Sequence, residues 1–436
     1  MDLSTTRAPV GARVRPFYGW AVVAGTFVLL FIGFGTAYSF AAFFQALRDE
    51  FQGSRADVSL VFGITGFLYF SLGAVSGPLA DRFGPRRVVA AGVLLIAAGV
   101  LVASRAQALW QVYLTYSLGV GVGVGFAYVP AISAVQRWFV RRRGVASGLA
   151  VAGIGVGNLA MPPMAAVLID HTDWRTAYVL LGLLALTLGL AAAALIEHSP
   201  QRRGMLPDGA PPFPPSPHPS GTPLPHAGEG LGVRADEVGV RAALGSRPFK
   251  LLYAAVAACS AGLFIPFVHL VPYARDHALS GTAGAWLVAL IGVGSTVGRF
   301  ALGSMADRLG RRRSLMVMFA GMGLALLWWT VAVDLWSLAL FAVLFGVCYG
   351  GFVALIPALT ADYFGGRSAG SIIGLLYTSV AAGTLVGPWL AGRIYDLRES
   401  YLLPIAVGAA ANFVALGCLA ALMEPARWRA ERHPTD

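Results

Sequence analysis

The chain has 436 residues, of which 57% are hydrophobic and only 12% are charged. A soluble domain carries about 25% charged residues, so the composition excludes an ordinary soluble protein and indicates that lipid contacts much of the surface. The net charge of +11 comes mainly from arginines in short clusters between apolar segments. That pattern is typical of membrane proteins and argues against nucleic acid as a partner.

Twelve apolar segments are long enough to cross a bilayer, since about 20 helical residues span its hydrocarbon core. They cover residues 17–43, 57–80, 87–104, 108–135, 144–168, 174–196, 249–272, 283–305, 314–333, 335–361, 369–392 and 401–423. The first segment is too long for the apolar region of a signal peptide, so we expect it to remain as a helix. The sequence therefore predicts an all-α membrane protein with twelve transmembrane helices.

The arginines of the loops predict the orientation. If the N-terminus is cytoplasmic, the clusters that begin at Arg82, Arg141 and Arg311 all lie on the cytoplasmic side, and the other side holds only isolated arginines. Both termini are then cytoplasmic. The stretch from Pro217 to Arg234 resembles translated repetitive DNA of bacterial genomes. We therefore expect the inner membrane of a bacterium.

The two halves of the chain repeat each other. The run Gly77–Gly84 recurs as Gly303–Gly310, at the same place among the helices of the second half. We predict two six-helix bundles, residues 1–196 and 249–436, related by pseudo-symmetry. The Pro-rich range between them, 197–248, contains too few apolar residues to fold, and we predict a disordered cytoplasmic linker there.

The repeated run follows the pattern Gly-x-x-Ala-Asp-Arg-x-Gly-x-Arg-Arg, which resembles the signature loop of the major facilitator superfamily. An Asp at a helix end can pair with arginines or a helix N-terminus, and such contacts bias one conformation over another. The alternative is a plain basic turn. The residues for which we expect a conformational role are Asp81, Arg82, Arg86, Arg141, Arg142, Asp307, Arg308 and Arg312.

Two further stretches narrow the resemblance. Tyr18-Gly19-Trp20 opens the first helix, and Trp138-Phe139 precedes an Arg-rich loop and a Gly-rich helix. Both resemble the two signatures of the monocarboxylate transporter family and its oxalate/formate-antiporter relatives. The resemblance implies a secondary transporter of a small monocarboxylate or related organic anion that works by alternating access. It also implies movement together with a proton, with uniport and anion exchange as alternatives.

Arg299 is the one ionised residue that we place near the middle of a predicted helix. A charge there costs about 2.5–3.5 kcal/mol on insertion scales and normally faces a cavity. The family resemblance implies that this Arg binds the substrate carboxylate; a structural Arg held by backbone carbonyls is the alternative. Tyr38, Ser295 and Val380 stand where relatives carry a Lys, an Asp and a Lys, so we expect one fixed positive charge and a monoanionic substrate.

Several polar side chains are candidates for the same cavity. Tyr128, Tyr349, Tyr38 and Tyr377 are the expected substrate contacts, although tyrosines also serve as polar links between helices. A histidine side chain can gain or lose a proton near neutral pH, so His269 is the candidate for proton coupling. It lies near the outer end of its helix, however, and a lone histidine is more often structural.

No grouping of residues typical of an enzyme or of a nucleotide site occurs in the sequence. We therefore expect no catalysis, no cofactor and no metal, and we expect a monomer in the bilayer. Two alternatives remain open: a carrier of the same fold for a drug or a sugar, and a membrane sensor that binds a ligand without transporting it.

Overall fold

The computed structural model describes residues 17–209, 240–364, 369–425 and 427–428. Within these ranges the chain forms twelve long helices and no strand. In the first half they are α1 (Gly19–Phe51), α2 (Arg55–Phe83), α3 (Pro85–Ala103), α4 (Leu109–Trp138), α5 (Arg143–His171) and α6 (Trp174–Leu195). In the second half they are α7 (Arg247–Asp276), α8 (Gly281–Leu309), α9 (Arg311–Trp329), α10 (Leu335–Phe364), α11 (Ala369–Arg398) and α12 (Leu402–Ala420).

The helices match a membrane protein in length and composition. In the described part of the chain, eleven of them contain a stretch long and apolar enough to cross a membrane. The twelfth, α9, begins with three arginines, which lower its apolar content. The predicted class, an all-α membrane protein of two six-helix bundles, is confirmed.

Helices α2 and α8 show the internal repeat in three dimensions. A serine caps each helix start, with Ser54 bonded to the N–H of Asp57 and Ser280 to the N–H of Ala283. Each helix ends at a glycine with a positive φ, 86° at Gly84 and 84° at Gly310. Only glycine adopts that conformation without strain, so the repeated run ends both helices in the same way.

Several helices are longer than the apolar segments predict. Helix α1 continues to Phe51 and α11 to Arg398, because a helix can extend beyond the hydrocarbon core into water with polar side chains. Helix α7 also has an interruption that the pattern does not show. Its two parts meet at Phe264, and Pro266, which has no N–H to donate, lies in the first turn of the second part.

Glycines allow the helices to approach closely. A Cβ at Gly119 would lie 2.5 Å from the Cα of Gly99, and one at Gly153 would lie 2.2 Å from the carbonyl oxygen of Phe27. The Gly-rich stretches of α4 and α5 are therefore packing faces. Between the halves, α2 packs along α11 and α5 packs along α8.

Both ends of the range 197–248 are ordered, so the predicted disorder is wrong there. Short 3₁₀ turns cover Pro200–Arg203 and Pro207–Gly209, and a short helix covers Val240–Gly245. The Asp208 carboxylate accepts the backbone N–H groups of Val140 and Arg141 at 3.0 and 2.8 Å. The prediction fails because the Asp208 carboxylate hydrogen-bonds to backbone N–H groups in the loop after α4, and this contact fixes the segment. Residues 210–239 lie outside the described ranges.

The close contact of α8 with α10 provides a stability test. A Cβ at Gly350 would lie 2.0 Å from the carbonyl oxygen of Ser295, whereas nothing lies within 4 Å of a Cβ at Gly417. We expect Gly350→Ala to destabilise the protein by about 1–3 kcal/mol, as overpacking does, and Gly417→Ala to have no such effect. Thermal unfolding of both variants in detergent measures this, and equal midpoints would contradict the packing described here.

Candidate functional site

A small cavity lies between the two halves, near the middle of the helices. Its volume is about 50 Å³, room for only a few water molecules. Aromatic and aliphatic side chains form most of its wall, and Arg299 is the one charged residue among the described lining residues. The lining is Arg299 with Tyr38, Tyr69, Tyr128, Tyr349 and Tyr377, with Phe34, Phe70, Phe264 and Phe352, and with Val124, Ile154, Leu263, Val353, Ile356 and Val380.

The Arg299 guanidinium forms only part of the hydrogen bonds that it could form with the described residues. Its Nη1 donates to the carbonyl oxygen of Val151 on α5 at 3.1 Å, a contact between the two halves. Its Nε is buried without a hydrogen-bond partner, and no described carboxylate forms an ion pair with it. A guanidinium has five N–H donors in a plane. Nε and Nη2 have no hydrogen-bond partner among the described residues, so the edge that they form can hold an anion with two parallel hydrogen bonds.

The tyrosines predicted for the site surround the same cavity. The hydroxyls of Tyr38 on α1 and Tyr349 on α10 lie 3.1 Å apart, so this hydrogen bond also joins the halves. Tyr128 of α4 and Tyr377 of α11 line the cavity from the other sides. The structure thus brings together Arg299 and all four tyrosines.

Tyr69 and Phe70 are among the lining residues that were not predicted from the sequence. Tyr69 and Phe70 lie side by side on α2 and their rings contact each other, with centroids 4.5 Å apart. In the sequence they are two aromatic residues within an apolar segment, and nothing marks them as facing a cavity. The Tyr69 hydroxyl is buried and has no hydrogen-bond partner in the described structure.

Asn158 lies where α5 meets Gly292 of α8, and Ser295 lies where α8 meets Gly350 of α10. Ser295 is one helical turn before Arg299, and its buried hydroxyl has no partner among the described residues. The side-chain oxygen of Asn158 is also buried and unpaired there. Neither supplies a negative charge, so the structure agrees with the expectation of one fixed positive charge near the cavity.

His269 does not line the cavity. It is fully buried in a polar cluster closer to the end of the bundle where α1 stops and α2 starts. We call this cluster the clasp and define it as Arg55, His269, Asp276, Asp396 and Tyr401. The end of the molecule that holds it is the clasp end, and the end with the arginine clusters is the basic end.

The clasp joins the first half to three helices of the second half. Arg55 is 4% exposed, and its two terminal nitrogens bond to the two oxygens of Asp276 at 2.8 and 2.7 Å. Asp396 accepts the backbone N–H groups of Arg55 and Ala56, both at 3.0 Å. An anion at a helix N-terminus is favourable, and Asp396 occupies that place on α2.

Tyrosines complete the surroundings of Arg55. The hydroxyl of Tyr401 accepts a hydrogen bond from Arg55 Nη1 at 2.6 Å. The ring of Tyr395 lies 3.7 Å from the guanidinium carbon, a cation–π contact. Arg55 is buried and Asp276 is 28% exposed, so removing one partner costs at most the roughly 3–5 kcal/mol of a fully buried ion pair. The clasp therefore holds the halves together firmly at this end.

The basic end is open between the halves. A cleft of about 580 Å³ lies between α2, α4 and α11. It shares Tyr69, Phe70, Tyr128 and Tyr377 with the central cavity. Its other lining residues are Gly73, Gly77, Pro78, Val129, Ser371, Ile373, Gly374, Leu375 and Thr378. The structure is thus closed at the clasp end and accessible from the basic end.

The signature-loop residues make contacts within each half. Asp81 pairs with Arg137 at 2.5 Å. Arg312 pairs with Glu424 at 2.9 Å and donates to the carbonyl oxygens of Leu419 and Ala420 at the end of α12. The side chains of Arg82, Arg86, Arg141, Arg142 and Arg308 are exposed, and that of Asp307 lies outside what the structure describes. None of the described contacts bridges the halves at this open end.

Comparison with known proteins shows the family and the fold of the chain. The family model for the Major Facilitator Superfamily matches residues 26–261 and again 251–435. A mutant of the peptide transporter POT, solved in complex with sulfate, aligns with a TM-score of 0.71 at 16% identity and covers 94% of this chain and 95% of its own. At that identity the likeness shows the fold alone.

Curated relatives place the chain more narrowly within the superfamily. Human "Monocarboxylate transporter 11" is 28% identical over 93% of this chain and 84% of its own length. Zebrafish (Danio rerio) "Monocarboxylate transporter 12-B" is 30% identical over 88% of this chain and 82% of its own length, and rat "Monocarboxylate transporter 4" is 28% identical over 88% and 78%. With its two halves and central cavity the protein is a multi-pass membrane transporter. It belongs to the major facilitator superfamily and, within it, to the group that resembles the monocarboxylate transporters.

If the clasp closes its end of the molecule, breaking it should make the cavity accessible from that end. In a variant without the native cysteines, Val380→Cys places a thiol in the cavity wall. We expect Arg55→Gln to raise the rate at which a membrane-impermeant maleimide labels this thiol from the clasp end by about tenfold or more, since a buried ion pair is broken. Arg105→Gln, which changes an exposed Arg at the same end, serves as the control. Equal labelling rates in the two variants would show that the clasp does not close this end.

Proposed function

We propose that the protein carries a small monocarboxylate or a related organic anion across the membrane by alternating access. The observation that supports this most strongly is the free Nε–Nη2 edge of Arg299 in an otherwise apolar cavity between the halves. A carboxylate matches that edge with two parallel hydrogen bonds. The names of the relatives point to the same class of substrate.

The charge of the cavity favours a monoanion. Arg299 is the one charged residue in the described lining, so a second carboxylate on the substrate would be buried without a partner. An uncompensated buried charge costs several kcal/mol. The apolar wall suits the rest of a small organic acid, and the tyrosine hydroxyls can accept or donate hydrogen bonds to an oxygen on it.

In the transport cycle that we propose, the two ends open in turn. In the conformation described here the substrate enters or leaves through the cleft at the basic end, past Tyr128 and Tyr377. Opening of the clasp and closure of the cleft would expose the same cavity to the other side. The signature loops around Asp81 and Arg312 would then form the contacts that hold the basic end closed.

We place the basic end in the cytoplasm of a bacterium, because cytoplasmic loops carry the excess of Arg and Lys. The clasp then faces the outside. Moving one elementary charge across a membrane costs about 2.3 kcal/mol per 100 mV, so uptake of an anion into a negative interior favours a proton as companion. Proton coupling is therefore part of the proposal, with His269 as the titratable candidate.

The direct test is transport by Arg299 variants in proteoliposomes. We expect Arg299→Ala to raise the KM for uptake of radiolabelled lactate or pyruvate by about 10- to 100-fold, since hydrogen bonds to a charged group contribute about 1.5–3 kcal/mol. Arg299→Lys should recover only part of this, because an ammonium lacks the planar edge. Arg105→Ala is the control.

The outcome separates the proposal from its alternatives. Anion uptake that Arg299→Ala leaves unchanged would contradict the binding role. Transport of a drug or a sugar without transport of any organic anion would favour another carrier class, and ligand binding without flux would favour a sensor. Uptake with and without an imposed pH gradient tests the coupling to protons.

A further inference from the structure

His269 is a buried titratable residue that the binding of an anion at Arg299 does not use. It is fully buried on α7, within the clasp, and both ring nitrogens have partners. Nδ1 lies 3.0 Å from the hydroxyl of Tyr401. Nε2 lies 2.8 Å from the carbonyl oxygen of Pro388 and 3.2 Å from the hydroxyl oxygen of Ser59.

The partners fix where the protons lie. A carbonyl oxygen only accepts, and the Ser59 hydroxyl already donates to the carbonyl oxygen of Arg55 at 2.5 Å. Nε2 of His269 must therefore carry a proton and donate it. On the other side of the ring, Arg55 can only donate to the Tyr401 oxygen, so the Tyr401 proton points at Nδ1. The closed clasp thus fits a neutral His269 with Nδ1 as acceptor.

A second proton on His269 conflicts with this arrangement. Nδ1–H and the Arg55 guanidinium would then both donate to the Tyr401 oxygen, and the proton of Tyr401 would lose its acceptor. Two cations would meet at one hydroxyl group in a site from which water is excluded. Charging a buried imidazole without a new partner costs free energy, and opening the clasp to water removes that cost.

The other charges near His269 do not offset the conflict. Asp276, on the same helix, is held by both terminal nitrogens of Arg55, and Asp396 of α11 is held by the two backbone N–H groups at the start of α2. Both carboxylates attract a proton to the region, but neither accepts a hydrogen bond from His269. From α1 the ring of Phe44 packs against the imidazole and adds no polar group.

From these contacts we infer that His269 is a proton-binding site whose occupation from the outside opens the clasp. External acid then raises the share of carriers that face outward, and the clasp closes again only after His269 has released its proton. On this account His269 acts as a sensor of external pH. The inference uses the proposed alternation and orientation but not the identity of the substrate.

The sign of the effect follows from linkage. The closed form binds the proton more weakly than the open form, so closure is favoured at high pH and is lost as the pH falls through the range of a hydrated imidazole, about 6.5. If the closed form takes up no proton, the ratio of open to closed carriers rises by about 30-fold at a pH of about 5.

A distance measurement without substrate tests this. The native cysteines Cys259, Cys348 and Cys418 are first replaced. Spin labels are then attached at Gln107→Cys and Ser400→Cys, which are exposed at the clasp end on different halves. The distance between the labels reports the opening of the clasp in purified full-length protein in nanodiscs. Lowering the pH from about 8 to about 5 should increase the population with the longer distance. His269→Gln, which cannot take up a proton there, should abolish that increase.

His277→Gln is the matched control, since His277 directly follows the same helix and its side chain hydrogen-bonds, among the described residues, to the backbone oxygen of Tyr273; it should keep the full response. The inference is overturned if the parent protein shows no opening on acidification, or if His269→Gln responds as the parent does, which would assign the effect to Asp276 or Asp396. Failure to transport monocarboxylates would contradict the proposed function and leave the distance result untouched.

Discussion

The structure is organised around one incompletely paired cation in a nonpolar site. Arg299 lies between the two halves, where a charge costs free energy unless it is hydrated or bonded. The protein supplies one carbonyl oxygen, that of Val151, and leaves Nε without a partner. An anion that fills the remaining edge completes the hydrogen bonding of the guanidinium and neutralises its charge. The site therefore gains most from a ligand with one carboxylate, and an uncharged ligand of the same shape leaves the guanidinium as it was.

The contacts between the halves decide from which end that site is reached. Glycines on α4, α5, α8 and α10 bring the helices of each half into close contact. Between the halves the contacts are unequal. The clasp provides buried hydrogen bonds and an ion pair at one end, whereas a cleft separates α2 from α11 at the other. Closure at the clasp end and access at the basic end are therefore properties of one conformation, and alternation requires that the clasp can be broken.

Much of this was predictable from the sequence. The twelve helices follow from apolar length, and the two halves follow from the repeat at Gly77 and Gly303. The cavity residues followed from the rarity of a charge in mid-helix and from family resemblance. The clasp was not predictable, because Arg55 and Asp276 are 221 positions apart and each looks like an ordinary loop charge. His269 was identified as titratable but its surroundings were not. The ordered end of the linker was missed because the anchoring of Asp208 depends on N–H groups of a distant loop.

The most direct test of the account is whether the negative charge of the ligand is what the cavity recognises. Thermal unfolding of the purified protein can be followed with lactate and with lactamide, which has the same shape but no charge. The account predicts that lactate raises the midpoint in a concentration-dependent way, that lactamide does not, and that Arg299→Gln removes the difference. Equal stabilisation by the two compounds, or stabilisation by lactate that persists in Arg299→Gln, would contradict it.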